Sequence, residues 1–542
     1  MIDAVPEGRL SVGNVKVPGA GAVGVAVNSP VISGDHNTVV VQVSERPVVE
    51  VAVPDTVAKL ERVLFGPVVE PDLSLVGSWL RPDAGIVDAQ PRPEVDTLVD
   101  WCTAGRGPVV RLVCGPGGQG KTHLARQVCQ KLRAQGWTAG LAVLPSPRWQ
   151  TVTLQDAARG GVQGDQARRD LQRMAELAAG VRAAAKLQVR TLLVIDYAEN
   201  TGPLVAELLD IIADADAVRW VRILLLARTD KDWFQELTVE HRWRHWVHPR
   251  PMKLGALSQD WDAARMQTVW QQAVERFAHQ ASRHGFAVPA AISERVKVPR
   301  QGFATTLDLY AAALVAVLDA ADGQSVVGDP GDRDPMTEVL RHEQHQVTVA
   351  LHAAGLDLDE EAQAWTVAAV TLTLPATEAE AVDVIGRIPR LAGVPGSDRE
   401  RLVRVLRGLY PDESRQRIWQ APRPDRLADI HLLKLTDRAS SRQQWINDLA
   451  AVCGSDDLEA ADHTATVLRR CMSTPDSDGL WQDGLQLVRD GLAGLAARFP
   501  AAFVPALVQV DPVGFEAEIV AAVELAVRAL RNGRRVHYFG AG

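Results

Sequence analysis

The sequence predicts an α/β core built on a parallel sheet, followed by helical, winged-helix-like and helical-repeat-like domains and preceded by a short β-rich segment. Three observations carry that expectation. The first is Gly115-Pro116-Gly117-Gly118-Gln119-Gly120-Lys121-Thr122, a Gly-x4-Gly-Lys-Thr loop between an apolar run ending at Cys114 and a stretch from His123 with apolar residues at helical spacing. The second is the alternation of short apolar runs with helical patterns over residues 93–255, the rhythm of βαβ units. The third is the loss of that rhythm beyond residue 255, where amphipathic helical patterns rich in Ala and Leu take over.

Taken in order, residues 1–46 form a Val/Gly-rich arm whose short runs, such as Val39-Val40-Val41, are broken by Gly, Asn and Asp. That is a strand–turn rhythm with too little bulk for its own core, so it reads as β-structure that stacks on copies of itself or on a partner, or as a loosely attached arm. Residues 47–92 hold a helix from Asp55 to Leu64 and a Pro-containing linker. The core, 93–255, has strands expected at 109–114, 139–144, 190–195 and 221–227. A helical domain follows over 256–350, with helices at 259–284, 307–321 and 335–351. Residues 351–440 read as the winged-helix-like domain and 441–542 as the helical-repeat-like domain, with helices over 479–497 and 514–530.

The glycine-rich loop points to a nucleoside triphosphate. Glycines let successive backbone N–H groups turn inward around a phosphate, and the helix N-terminus that follows adds partial positive charge. Gly115 through His123 form the expected phosphate-binding set, with Lys121 reaching the terminal phosphates and the Thr122 hydroxyl available to Mg²⁺. Such a loop needs an acid. Thr191-Leu-Leu-Val-Ile195 is an apolar strand ending in Asp196, expected to hold Mg²⁺ with Thr122. Tyr197 takes the next position, where many fast ATPases carry a catalytic Glu, so turnover is expected to be slow, with Glu199 as the available base. The next strand, from Val221 to Ala227, ends in Arg228, a cation placed to sense the γ-phosphate or to pair with Asp230. The site is therefore expected to take ATP or ADP with Mg²⁺.

Composition narrows the class. Hydrophobic content of 46% and charged content of 23% are ordinary for globular protein, and the net charge of −9 argues against a surface generally coated in nucleic acid. Five cysteines without a C-x-x-C pair suggest a reduced, cytoplasmic chain. No basic-then-apolar leader opens the sequence and no stretch of ~18 apolar residues predicts a membrane span.

Several further stretches identify a relative class. The sequence resembles the STAND group of signalling NTPases, which includes NB-ARC and NACHT switches, and it is similar to an actinobacterial branch of them. The resemblance rests on Trp101-Cys102, Val109 to Thr122, Asp196-Tyr197-Ala198-Glu199 and Leu224 to Arg228. It continues through Leu254 to Ser258, Phe303 to Leu314, Leu340 to Glu343, Leu409-Tyr410-Pro411 and Arg423 to Leu432, covering about residues 80 to 436. It implies a helical and a winged-helix domain that close over ADP and swing open with ATP, driving homo-oligomerisation in answer to an unidentified trigger and in company with a separate effector. It further implies that Val87 covers the adenine and that His431 touches the ADP β-phosphate. Thr306 stands where the family often has Pro. Relatives serve in signalling, antiphage defence or transcriptional control. Two rival readings are a continuously turning AAA+-type remodelling ATPase and a DNA-binding regulator that uses ATP only as a ligand.

Other signals weigh less. His241, His245 and His248 lack a completing Cys or carboxylate, so a basic aromatic surface segment is the plainer reading than a metal site. His342 and His345 do not match the H-E-x-x-H zinc pattern. The arginines from Arg399 to Arg417 are interrupted by acids, which favours a solvated or inter-domain face over nucleic acid.

Overall fold

In a computed structural model the described residues run from 51 to 507, apart from 67–69, 106, 146–160, 231–232, 241, 256–260, 291, 297, 299–302, 304, 324–333, 414–416, 456, 474–480, 501 and 505–506. The β-rich arm over 1–46 and the helix expected over 514–530 lie outside them.

A five-stranded sheet forms the core. Its strands are β1 (Val110–Cys114), β2 (Thr138–Leu141), β3 (Thr191–Ile195), β4 (Val221–Ala227) and β5 (Met252–Lys253), in the order β2-β3-β4-β1-β5. Every pairing is parallel, with Cys114 opposite Ala227 and Ile195 opposite Leu225. All residues of β3 and β4 are buried, as strands covered on both faces must be. The period-two alternation then sorts their side chains. Leu112, Leu193, Ile195, Ile223 and Leu225 face a layer made with α1 (Val57–Phe65), α4 (Gly161–Leu187) and α5 (Gly202–Asp214). Val113, Leu192, Val194, Leu224 and Leu226 face the other layer, made with α2 (Pro93–Thr103) and α3 (Lys121–Ala134). The expected strands all appear; the two-residue β5 is an addition.

Helices build the rest. The helical domain comprises α6 (Ala263–Arg283), α7 (Thr306–Ala321) and α8 (Pro335–Ala353), packed around Trp270, Phe277 and Leu314. Next come α9 (Glu360–Leu372), α10 (Glu378–Arg387), α11 (Gly396–Leu409) and α12 (Asp425–Thr436). Those four occupy the segment read as winged-helix-like, where no strand is among the described residues. Finally α13 (Arg442–Cys453), α14 (Leu458–Met472) and α15 (Gln482–Arg498) share one continuous core with α9 to α12, including Trp365, Trp419 and Trp445. Helix α12 joins two cores: Leu427 and Ile430 pack with α6 to α8, while Leu432, Leu433 and Leu435 pack with the C-terminal helices. Among the described residues no helix is long and apolar enough to cross a membrane.

The linker before the core is tied down. Its 3₁₀ turn Val76–Leu80 buries Trp79 among α6 to α8. Gly77 allows the close approach, since a Cβ there would meet Glu343 Oε2 at 2.2 Å. Glu343, on α8, is buried and accepts a hydrogen bond from Tyr410 Oη at 3.1 Å. Burial pushes its carboxyl up to about 7 against the opposing pull of that hydroxyl and of the Gly77 backbone N–H. A carboxyl whose folded pKa lies above its unfolded value of 4.5 binds its proton more tightly when folded. Its contribution to stability is complete below about 4.5 and is lost as pH rises through about 7. Urea unfolding at intervals between those values is expected to show wild-type stability falling relative to Glu343→Gln, with a limiting slope of about 1.4 kcal/mol per pH unit. Parallel profiles for the two proteins would contradict this assignment.

Candidate functional site

The site follows from the strand order. Loops leaving the carboxyl ends of β1, β3 and β4 converge because these strands are adjacent and in register. Gly118 and Gly120 adopt φ of 82° and 81°, left-handed values that glycine takes without cost, and the turn delivers Lys121 as the first residue of α3. Arg92 braces the loop from the linker side, donating to the Gln119 carbonyl at 2.7 Å. Lys121 Nζ donates to the Gly115 and Pro116 carbonyls at 2.6 and 2.9 Å. Burial and the neighbouring Arg228 bring its pKa down to about 8, while Asp196 and Glu199 oppose the shift.

Asp196 lies one residue beyond β3. Thr122 Oγ1 donates to Asp196 Oδ2 at 3.0 Å, which places a hydroxyl and a carboxylate together beside the glycine loop. Burial pushes the Asp196 carboxyl up, against the hydrogen bonds from Thr122 and the Tyr197 N–H. An all-oxygen pair of this kind fits a hard cation such as Mg²⁺, and these are the residues that would hold it.

Arg228 lies one residue beyond β4 and faces the loop, since a Cβ at Gly117 would lie 3.7 Å from its guanidinium. Its backbone N–H donates to Glu199 Oε1 at 3.1 Å. From the opposite side Asp429 Oδ2 of α12 lies 3.7 Å away, and Arg228 donates to the Arg470 carbonyl of α14 at 3.3 Å. Arg470 in turn meets Asp429 at 2.7 Å and Asp425 at 3.1 Å. Tyr197 closes the circuit, its hydroxyl donating to Asp425. Burial opposes ionisation of Asp425, but Arg470 and Arg423 hold its carboxyl down to about 2. Burial pushes Asp429 up against the pull of the same Arg470 and of Arg228.

Helix α7 supplies the remaining wall. Its N-cap Thr305 and Asp308 form a capping box, and a Cβ at Gly118 would lie 2.9 Å from Thr305 Oγ1. Asp308 is paired with Arg426 of α12 at 2.6 Å. The cavity between them, about 260 Å³, runs from the glycine loop past His123 and Gln127 to the linker and Tyr310.

The structure brings together Gly117, Gly118, Gly120, Lys121, Thr122, His123, Asp196, Glu199 and Arg228 around that cavity. Thr306, in place of the family's Pro, also lines it, with a buried hydroxyl that has no hydrogen-bond partner among the described residues. Five expected residues do not line it: Gly115, Pro116 and Gln119, whose carbonyls accept from Lys121 and Arg92, and Val87 and His431. Val87 packs against the core of α6 to α8, and the linker residues on the cavity are Leu80 to Asp83, Ala89, Gln90 and Arg92. His431 is buried inside α12, with burial bringing its imidazole down to about 4, and the cavity is lined from that region by Arg423 to Arg426 instead. It lies one turn or more from those lining residues along the helix. The sequence pattern assigned no role to Arg92, Tyr310, Asp425 or Arg470; Tyr310 and Asp425 fell within stretches of the resemblance, Phe303 to Leu314 and Arg423 to Leu432, while Arg92 and Arg470 gave no signal. Of the arginine stripe, Arg417 pairs with Glu459 and Arg401 with Asp398, both within the helical region, and Arg415 lies outside the described residues.

A parallel sheet in this order, with a glycine loop after β1, an acid after β3 and a cation after β4, decides the fold. It is that of a P-loop NTPase. No family model matches the chain, and none of the curated proteins does. Among solved structures, the chain is similar to the ORC2 protein of Aeropyrum pernix, described as ADPNP-ADP complexes, at 15% identity and a TM-score of 0.31 over 66% of this chain and 89% of that one. The Cdc6p structure from Pyrobaculum aerophilum matches at 14% identity and a TM-score of 0.28, over 66% and 89%. C. elegans PCH-2 matches at 12% and 0.25, over 47% and 67%. Likenesses this faint say nothing of activity or partners, and the P-loop NTPase fold rests on the strand order and the residues at the strand ends.

Proposed function

We propose that this chain is an ATP-dependent molecular switch of the STAND type, resting with ADP, opening when ATP replaces it, and reset by slow hydrolysis. The observation that carries the reading is the position of Arg228 between the Gly117 turn on one side and Asp429 and Arg470 on the other. A γ-phosphate arriving beyond Lys121 competes with Asp429 for the same guanidinium. Nucleotide state is thereby coupled to α12 and α14, because a cation drawn toward phosphate leaves Asp429 with Arg470 alone. Lys121 and the loop amides would hold the phosphates, and Thr122 and Asp196, hydrogen-bonded to each other, would hold Mg²⁺, which would supply neutralising charge to the phosphates. Opening would expose faces now packed between the core and the C-terminal helices, and homo-oligomerisation in the ATP state follows from covering them. A trigger that loosens the C-terminal helices and a separate effector complete the scheme. Placement in bacterial signalling or antiphage defence rests on the family resemblance.

The test is particle mass by light scattering after gel filtration, with Mg-ADP and with a non-hydrolysable ATP analogue. Mass is expected to rise several-fold with the analogue in the wild type and to stay at the monomer value in Lys121→Ala. An unchanging monomer under both nucleotides would count against the oligomerising switch.

A further inference from the structure

We infer that Thr306 binds the nucleotide's phosphates from the helical domain, its hydroxyl and backbone N–H donating to a phosphate oxygen at the N-terminus of α7. The inference rests on the nucleotide binding proposed for this site and names a further contact within it.

The chemistry of the position differs from the one the resemblance implies. Proline at the first residue of a helix has neither N–H nor hydroxyl, so it offers a nucleotide only an apolar ring. Threonine offers two donors. Thr305 caps α7 with φ of −138° and ψ of 161°, and its Oγ1 accepts from the Asp308 N–H at 3.1 Å. That cap leaves the N–H groups of Thr306 and Leu307, the first two helical residues, without a partner inside the helix. The Thr306 hydroxyl joins them: the residue is 9% exposed, and Oγ1 has no hydrogen-bond partner among the described residues. A buried hydroxyl in that condition is costly unless a polar group meets it.

The surroundings select a phosphate as that group. A Cβ at Gly118 would lie 2.9 Å from Thr305 Oγ1 and 3.3 Å from Leu307 Cβ, so the residues on either side of Thr306 rest against the glycine loop. Thr306 itself lines the cavity beside that loop. Two helix N-termini therefore face one space, α3 from Lys121 and α7 from Thr306, and their partial positive charges add there. The acid in the first turn of α7 is already engaged. Asp308 accepts from the Thr305 N–H and hydroxyl at 3.0 and 2.8 Å and faces Arg426 at 2.6 Å. Since α3 belongs to the core and α7 to the helical domain, a phosphate held by both ties the two domains together.

Three variants separate the donors from the packing. Thr306→Val keeps the shape and loses the hydroxyl, while Thr306→Ser keeps the hydroxyl and loses the methyl group. Thr306→Pro loses both donors at a helix position where proline is well tolerated, and it stands in should the valine variant not fold. Calorimetry on the full-length protein gives dissociation constants for Mg-ADP and for its 2′-deoxy and 3′-deoxy analogues. Thr306→Val is expected to bind Mg-ADP about 10-fold more weakly than wild type, the scale of one hydrogen bond to a charged group. Thr306→Pro should lose at least as much, and Thr306→Ser should stay within about threefold of wild type. The valine loss should be the same with both deoxy analogues, because a phosphate contact is indifferent to the sugar hydroxyls. Wild-type affinity in the valine or proline variant overturns the inference alone, as does a serine variant as weak as the valine one. A valine loss that vanishes with either deoxy analogue places the contact on the ribose and overturns it too. A wild type that binds neither Mg-ADP nor the non-hydrolysable ATP analogue overturns the proposed function with it.

Discussion

Replacing Arg470 by alanine is expected to lower the free energy of unfolding by about 3–5 kcal/mol, the cost of leaving buried charges without their partner. Arg470 faces Asp429 at 2.7 Å and Asp425 at 3.1 Å, and the Asp429 side chain is 1% exposed. Remove the guanidinium and Asp425 keeps Arg423, the Tyr197 hydroxyl and the weaker pull of Arg228, while Asp429 keeps Arg228 at 3.7 Å. Neither arrangement compensates two carboxylates in that volume. Burial acts against the charge on Arg470, but Asp425 and Asp429 raise its pKa, so the pair is strongly biased to the ionised state. Urea unfolding followed by tryptophan fluorescence reads the change, since Trp365, Trp419 and Trp445 all lie in the core that α14 completes. Arg470→Lys, which keeps the charge and loses the fork that serves two acids, should recover part of the loss. A loss under about 1 kcal/mol for the alanine variant would mean that the cluster is solvated and holds nothing.

Much of this site is legible in the chain and some of it cannot be. The loop and the strand ending in Asp196 are local patterns whose chemistry dictates their spacing, and β4 falls on its expected bounds, Val221–Ala227. Strand β5 is two residues long and presents no run to detect. The 27-residue helix α4 has its apolar residues scattered through an Ala- and Arg-rich stretch, so the alternation of the core shows without its length. The contacts that join the domains are of another kind. Arg228 and Asp429 lie about 200 positions apart, and Arg470 is an ordinary arginine on an amphipathic helix until the fold sets two acids against it. His431 and Val87 show the converse. Each sits near the right segment, and the cavity takes neighbours instead: Arg423 to Arg426 for one, Ala89 and Gln90 for the other. A helix shows a different face every residue, so proximity in sequence does not choose the side chain.

The second large effect concerns Asp429 and bears on the coupling itself. Asp429→Asn keeps the shape of the side chain and removes its charge, leaving Arg470 paired with Asp425 and Arg228 with only the weaker pull of Asp425 on that side. Arg228 is then free for a γ-phosphate and gains nothing from a diphosphate that ends short of it. The affinity of a non-hydrolysable ATP analogue relative to ADP is therefore expected to rise by about 5- to 150-fold over wild type, the range of couplings typical between linked sites. In the double variant with Arg228→Ala that gain should vanish, since the two substitutions act on one interaction. The direct measurement is the pair of dissociation constants, for Mg-ADP and for the Mg-bound analogue, by calorimetry on wild type and Asp429→Asn. A rise in the ratio that depends on Arg228 is the result predicted for a cation shared between nucleotide and C-terminal helices. An unchanged ratio would contradict that competition, and with it the coupling on which the switch depends.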